Sequence, residues 1–181
     1  MWRINRLDFY AAAIALGGVL ALGILDGILL AALGSVLLLL MRVSRPHVAF
    51  LGRVPGTNSY SDMARHPENE PLAEVIAFRP EASVIYVNAE AIFDAVVARL
   101  RTSPAIRLVV CDLSASPYLD LAGTSMLHDL HTELSTRSIP LRIVGAHGVA
   151  RDLLRAEGVD RKVAGLDRTS TLDALLAGKS E

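Results

Sequence analysis

Two hydrophobic patterns divide the chain. From Phe9 to Met41 apolar residues run almost unbroken for 33 residues, whereas beyond Glu74 they fall in short clusters at strand and helix spacings. As one straight helix the first run would be about 50 Å long, against a bilayer core of about 30 Å. The run therefore predicts a chain that turns round within it. Gly23-Ile24-Leu25-Asp26-Gly27 marks the turn, because two glycines weaken a helix and a carboxylate is costly at the bilayer centre. Residues 1–41 read as a transmembrane helical hairpin with arms at 7–24 and 27–41. Both arms are short of the usual span of about 20 residues, so they call for neighbouring helices. Small residues on the arms, Ala11, Ala12, Gly17 and Gly18 in the first and Ala31, Ala32 and Gly34 in the second, would let backbones approach closely in lipid. Arg3 and Arg6 before the run, and Arg42 and Arg45 after it, place both ends of the hairpin in the cytoplasm.

Residues 42–73 read as an extended linker. Pro46, Gly52, Pro55, Gly56 and Pro67 interrupt it at short intervals, and Phe50 and Tyr60 can dock it on the domain C-terminal to it. Residues 74–181 carry the pattern of an α/β domain. Val75–Phe78 and Val84–Val87 read as an antiparallel strand pair. Asn88 caps a helix in which Ile92, Val96 and Leu100 recur, with Phe93 and Val97 alongside, and Pro104 ends it. Ile106–Cys111 is a buried strand, Asp112–Leu119 a loop, and Leu127, Leu130 and Leu134 line the next helix. Leu141–Val144 is a further strand. A helix from Gly148 to Glu157 buries Val149 and Leu153, and a last one starts near Ser170, with Asp173 completing its cap and Leu172, Leu175 and Leu176 packing. Strands alternating with helices imply a mostly parallel sheet covered by helices.

Composition sharpens this division. Of 181 residues, 52% are hydrophobic and 20% charged, yet residues 7–41 hold only two charged side chains, Asp8 and Asp26, and every proline and histidine follows them. A net charge of −1 supplies no basic field for nucleic acid. The single cysteine, Cys111, cannot form an internal disulfide and reads as a core residue of a protein in a reducing compartment. His128 and His131 stand three apart on a helix, off its apolar stripe and without a third ligand, so they read as surface residues and not as a metal site. Gly145-Ala-His-Gly148 lacks the lysine of a phosphate loop and reads as a strand-to-helix turn. No nucleophile elbow accompanies the His and Asp residues. These residues imply no enzyme, no cofactor and no metal.

The segment Asp112-Leu-Ser-Ala-Ser-Pro-Tyr-Leu-Asp-Leu-Ala-Gly-Thr-Ser-Met-Leu127 has a strand ending in Asp-Leu-Ser followed by Leu-Asp-x-x-Gly opening a helix. It resembles the STAS domain shared by sulfate transporters and anti-sigma-factor antagonists, and Tyr86-Val-Asn-Ala89 is similar to the strand-to-helix passage of the transporter version. Arg45-Pro-His-Val-Ala-Phe-Leu-Gly-Arg-Val-Pro-Gly-Thr57, with Tyr60 and Arg65-His-Pro67, resembles the segment joining the last membrane helix to that domain in sulfate permeases of the SulP family. The order of these blocks makes the whole chain resemble the C-terminal part of such a permease: the last two membrane helices, a linker and a cytoplasmic STAS domain.

The resemblance implies secondary active transport of an anion, with sulfate, bicarbonate or a dicarboxylate as substrate class. The family's substrate site, framed by half-helices near the midplane, lies in membrane segments absent from this sequence, so none of these residues is expected to touch substrate. Implied partners are membrane lipid, the other transmembrane helices of a permease, a second copy in a transporter homodimer, and a protein regulator at the STAS loop. In anti-sigma-factor antagonists the residue after the loop aspartate is a phosphorylatable Ser or Thr. Here it is Leu121, which cannot accept phosphate. Thr124 and Ser125 are the hydroxyls nearest to it. Asp120 reads as the helix N-cap, Tyr118 and Leu121 as exposed contacts, and Gly123 and Thr124 as the rest of a candidate partner loop. The alternative readings are a free-standing, membrane-tethered STAS interaction module and a soluble antagonist of the partner-switching kind, against which Leu121 and the apolar run both speak.

Overall fold

The computed structural model describes residues 13, 17, 23–103 and 105–177. It divides into two compact units, residues 1–44 and 45–181.

In the first unit the apolar run forms a helix, α1 (Ile24–Ser44), of 21 residues. It starts inside the segment expected to turn and runs past Met41, so the second arm is longer than the 27–41 expected. At about 1.5 Å per residue it spans about 31 Å, the thickness of a bilayer core, without needing a thinned membrane. Gly23 precedes it with φ +93°, a conformation that favours glycine, and accepts the Gly27 N–H at 3.0 Å. The helix therefore starts directly after Gly23, and Asp26 and Gly27, expected in the turn, are already helical. Asp26 sits in the first helical turn and Arg42 in the last, each facing the dipole end of opposite sign. Ile24, Leu29, Leu33, Val36, Leu37 and Leu40 are all exposed. With a mean hydropathy of 2.4, a helix apolar on every side suits lipid rather than water. The expected arm at 7–24 lies almost wholly outside the described residues, of which Ala13 and Gly17 are helical.

The second unit is built on five strands, β1 (Val48–Arg53), β2 (Tyr60–Asp62), β3 (Val75–Pro80), β4 (Leu108–Asp112) and β5 (Leu141–Val144), in the order β2-β1-β3-β4-β5. The sheet is mixed and not mostly parallel. β1 runs antiparallel to β2 and to β3, with Phe50 opposite Phe78, while β3-β4 and β4-β5 are parallel. Two strands thus come from the segment read as linker. The end of β2 is pinned to the start of β1, because His47 Nε2 lies 2.7 Å from Asp62 Oδ2 and Asp62 Oδ1 accepts the Ala64 N–H at 3.0 Å. Burial pushes the Asp62 carboxyl up, but the Ala64 N–H, the His47 ring and the Arg65 guanidinium outweigh it and hold the group below the ordinary aspartate value.

Helices α2 (Ala89–Arg101), α3 (Leu121–Ser135) and α4 (Gly148–Ala156) join a short 3-10 turn (Val159–Arg161) and α5 (Leu172–Ala177). One sheet face, Ile76, Phe78, Val109, Cys111 and Ile143, packs with Ile92, Val96, Leu127, Leu130, Leu134 and Leu154. The other, Ala49, Leu51, Val75, Ala77 and Val110, packs with Leu172, Leu175 and Leu176. Every residue of β4 is buried, which is why its sequence is a continuous apolar run instead of an alternation. Burial pushes the Cys111 thiol well above its ordinary value, and the neighbouring Asp112 adds to the effect, so Cys111 is chemically quiet.

Three local expectations change. Val84–Val87 is not a strand: Asn88 accepts the Ile85 N–H at 2.9 Å and donates to the Ser83 carbonyl at 3.0 Å, closing a turn that leaves only Val84 in a parallel bridge to Leu119. Asn88 stands at the expected helix cap, but its side chain ties this turn instead of capping α2. In α4 the buried residues are Ala150 and Leu154, and Leu153 packs half-buried against the core as expected, while Val149 is exposed. The α5 N–H groups find Thr171 Oγ1, which accepts from Ala174 at 3.2 Å, rather than a cap at Ser170. Pro104 lies outside the described residues, and α2 stops at Arg101.

Candidate functional site

The carboxyl ends of β3, β4 and β5 lie at one edge of the sheet, where open α/β folds present their ligand-binding loops. Asp112 anchors this edge. Its Oδ2 accepts from Arg79 Nε at 2.9 Å and Nη2 at 2.6 Å, and its Oδ1 accepts the Ser114 N–H at 2.9 Å. The carboxylate is almost fully buried, and a bidentate guanidinium with a third donor is what keeps such a charge tolerable away from water. Ser116, also buried, turns its hydroxyl to the carbonyls of Pro80 and Ala82. His147 Nε2 lies 2.9 Å from the Ser114 carbonyl. The loop after β4 is thus tied to the loops that follow both flanking strands.

Asp120 does more than cap. Its Oδ1 accepts the Gly123 N–H at 2.8 Å, the N-cap bond expected for α3, and its Oδ2 accepts the Tyr86 N–H at 2.9 Å. Backbone bonds reinforce the join: the Asp120 N–H donates to the Val84 carbonyl at 3.2 Å, and the Val84 N–H to the Tyr118 carbonyl at 3.1 Å. Gly123 permits this approach, since a Cβ there would stand 2.5 Å from the Val84 carbonyl oxygen. Thr124 is buried, and its hydroxyl donates to the Asp120 carbonyl at 3.1 Å. It is therefore withdrawn as a phosphate acceptor, whereas Ser125 is exposed.

Of the candidate loop residues, Asp120, Gly123 and Thr124 are framework, while Tyr118 (52% exposed) and Leu121 (61%) present apolar surface to solvent. Sequence reasoning missed Tyr86, 76% exposed beside them. Its signal was the Tyr-Val-Asn-Ala passage, taken as strand when Asn88 makes it a turn. His128, half-buried on α3, lies 3.0 Å from Lys162 Nζ. Among the described residues no three His, Cys, Asp or Glu side chains gather as a metal set.

The STAS domain family matches residues 66–173. The chain belongs to that family. As a STAS domain it is a non-catalytic module. Among curated relatives, high affinity sulfate transporter 2 of Stylosanthes hamata is 26% identical over 168 residues, covering 88% of this chain and 25% of the relative. Sulfate transporter 1.3 of Arabidopsis thaliana is 28% identical, covering 78% of this chain and 23% of the relative. The chain spans about a quarter of the length of these relatives. Among solved structures, the murine solute carrier 26 family member A9 anion transporter shares the fold with a TM-score of 0.78 at 18% identity, covering 99% of this chain and 30% of that one. The STAS domain here extends beyond the matched range, because β1 and β2 precede residue 66 and belong to the same sheet.

Proposed function

We propose that this chain serves as the C-terminal portion of a SulP-type secondary active anion transporter, with α1 as a membrane helix of the scaffold and the STAS domain as its cytoplasmic regulatory module. The observation that carries this reading is the extent of the likeness to sulfate transporters. A continuous match leaving out only 12% of the chain takes in α1 as well as most of the STAS domain. In this reading residues 7–24 form a second membrane helix, the chain enters the STAS domain directly after α1 through β1 and β2, both ends of the hairpin face the cytoplasm, and a second transporter copy is a partner. The anion is sulfate, bicarbonate or a dicarboxylate, bound by membrane segments outside these residues. Tyr118 and Leu121 offer a regulator its contacts, held in place by Asp120, Gly123 and Thr124.

The test is removal of the coding region for residues 23–177 in native cells, with uptake of labelled sulfate, bicarbonate and succinate measured alongside a blot for the STAS domain. Loss of uptake of one anion, with a membrane band several times heavier than 19.4 kDa in the parent cells, is expected. Unchanged uptake of all three, with a parent band only at 19.4 kDa, overturns the reading in favour of a free-standing tethered module.

A further inference from the structure

A groove of about 380 Å³ runs between the N-terminal halves of α2 and α3. Ala89, Phe93, Ala122 and Met126 form its floor, and Tyr86 stands at its mouth. Its charged lining residues are both acidic, Glu90 on α2 and Asp129 on α3. Neither forms an ion pair with a described residue.

We propose that this groove receives a cationic amphipathic helix of a partner protein, whose apolar anchor enters between Phe93 and Met126 while lysine or arginine side chains meet Glu90 and Asp129. The proposal does not depend on the chain being part of a permease. The physical case has three parts. Tyr86, exposed at the mouth, is surface that gains by being covered, and the methionine on the floor adapts to an inserted side chain. Two neighbouring helices with a trough between them match the helix-in-groove mode of recognition. The sign of the partner follows from the charges. The positive ends of α2 and α3 lie at this end of the groove, but each amounts to about half a charge. Asp120 already answers that of α3, and Glu90 stands in the first turn of α2. Asp129, mid-helix, is left uncompensated, so an approaching segment meets net negative charge and an acidic one is repelled.

The experiment uses the full chain in nanodiscs of zwitterionic lipid and two helical peptides of about 14 residues, or about four turns. Both have a leucine face; one has a lysine polar face and the other a glutamate face, and each carries a benzophenone at one apolar position. After irradiation, cross-links are mapped by mass spectrometry. The lysine peptide should label Tyr86–Phe93 and Ala122–Asp129. The double variant Glu90→Lys/Asp129→Lys should lower that labelling about tenfold, within the range for two exposed ion pairs. Ala122→Leu, which fills the floor and leaves the charges in place, should lower it as well. Equal labelling by the glutamate peptide, labelling that survives both variants, or labelling confined to α1, which would mark a peptide held by lipid, overturns the proposal. So does cross-linking of two copies of the chain through the groove, which would make the occupant a second copy.

Discussion

Replacing Asp120 by alanine tests the claim that one carboxylate joins two loops. It removes the α3 cap at Gly123 and the bond to the Tyr86 N–H together. Loss of a cap costs about 1 kcal/mol, and loss of a negative charge at a helix N-terminus adds about 0.3–1 kcal/mol at an exposed site. The Tyr86 bond is exposed, so water replaces most of it and only a few tenths of a kcal/mol remain. The sum is about 2 kcal/mol, or about 6–8 °C in the melting temperature of a unit this size. Circular dichroism of the chain in detergent reads the melting, and amide hydrogen exchange reads the two bonds separately. In Asp120→Ala both the Tyr86 and Gly123 amides should exchange faster. In Asp120→Asn, whose carbonyl keeps one acceptor oxygen, Gly123 should stay protected while Tyr86 does not, at about half the loss of stability. An alanine variant within about 0.5 kcal/mol of the parent, with both amides still protected, would refute the bridging role.

Two further outcomes are expected from the geometry. Gly123→Ala should destabilise by up to about 2 kcal/mol: overpacking against the Val84 carbonyl costs about 1–3 kcal/mol, against a gain of about 1 kcal/mol in helix propensity. Denaturant titration giving a net stabilisation would show the contact at 2.5 Å relaxing freely. Asp62, held below its ordinary value despite burial, stabilises the fold in its charged form. That contribution is present above the ordinary aspartate range and is lost as pH falls through the depressed value. The unfolding midpoint should therefore drop less between about pH 5 and about pH 3 in Asp62→Asn than in the parent, and equal slopes would remove Asp62 as a source of acid sensitivity.

What could be read from the sequence depended on how local the cause was. Ile92, Val96 and Leu100, and Leu127, Leu130 and Leu134, mark buried helix faces by spacing alone, and all six are buried as that spacing demands. Leu-Asp-x-x-Gly foretold the cap of α3, because a cap is decided within four residues. The second bond of Asp120 joins residues 34 apart, and no local pattern announces it. β1 was hidden for a different reason. Pro46 and Gly52 bracket its apolar residues like loop punctuation, and its strand character comes from β3, nearly thirty residues later. Val84–Val87 failed in the opposite direction, since its β-branched residues favour a strand until the Asn88 side chain closes the turn. Phe93 and Met126 fit the core pattern of their helices, so the groove between them could be found only once α2 and α3 were side by side.

The place of β1 outside the family match has a practical consequence. A fragment cut at residue 66 would keep every matched residue yet lose β1 and with it β2, reducing five strands to three. β3 would then carry an open row of backbone donors and acceptors along a buried, apolar strand, which is the template on which sheets from separate molecules pair and aggregate. The shield against that association is encoded in the residues that a domain boundary drawn by similarity would discard.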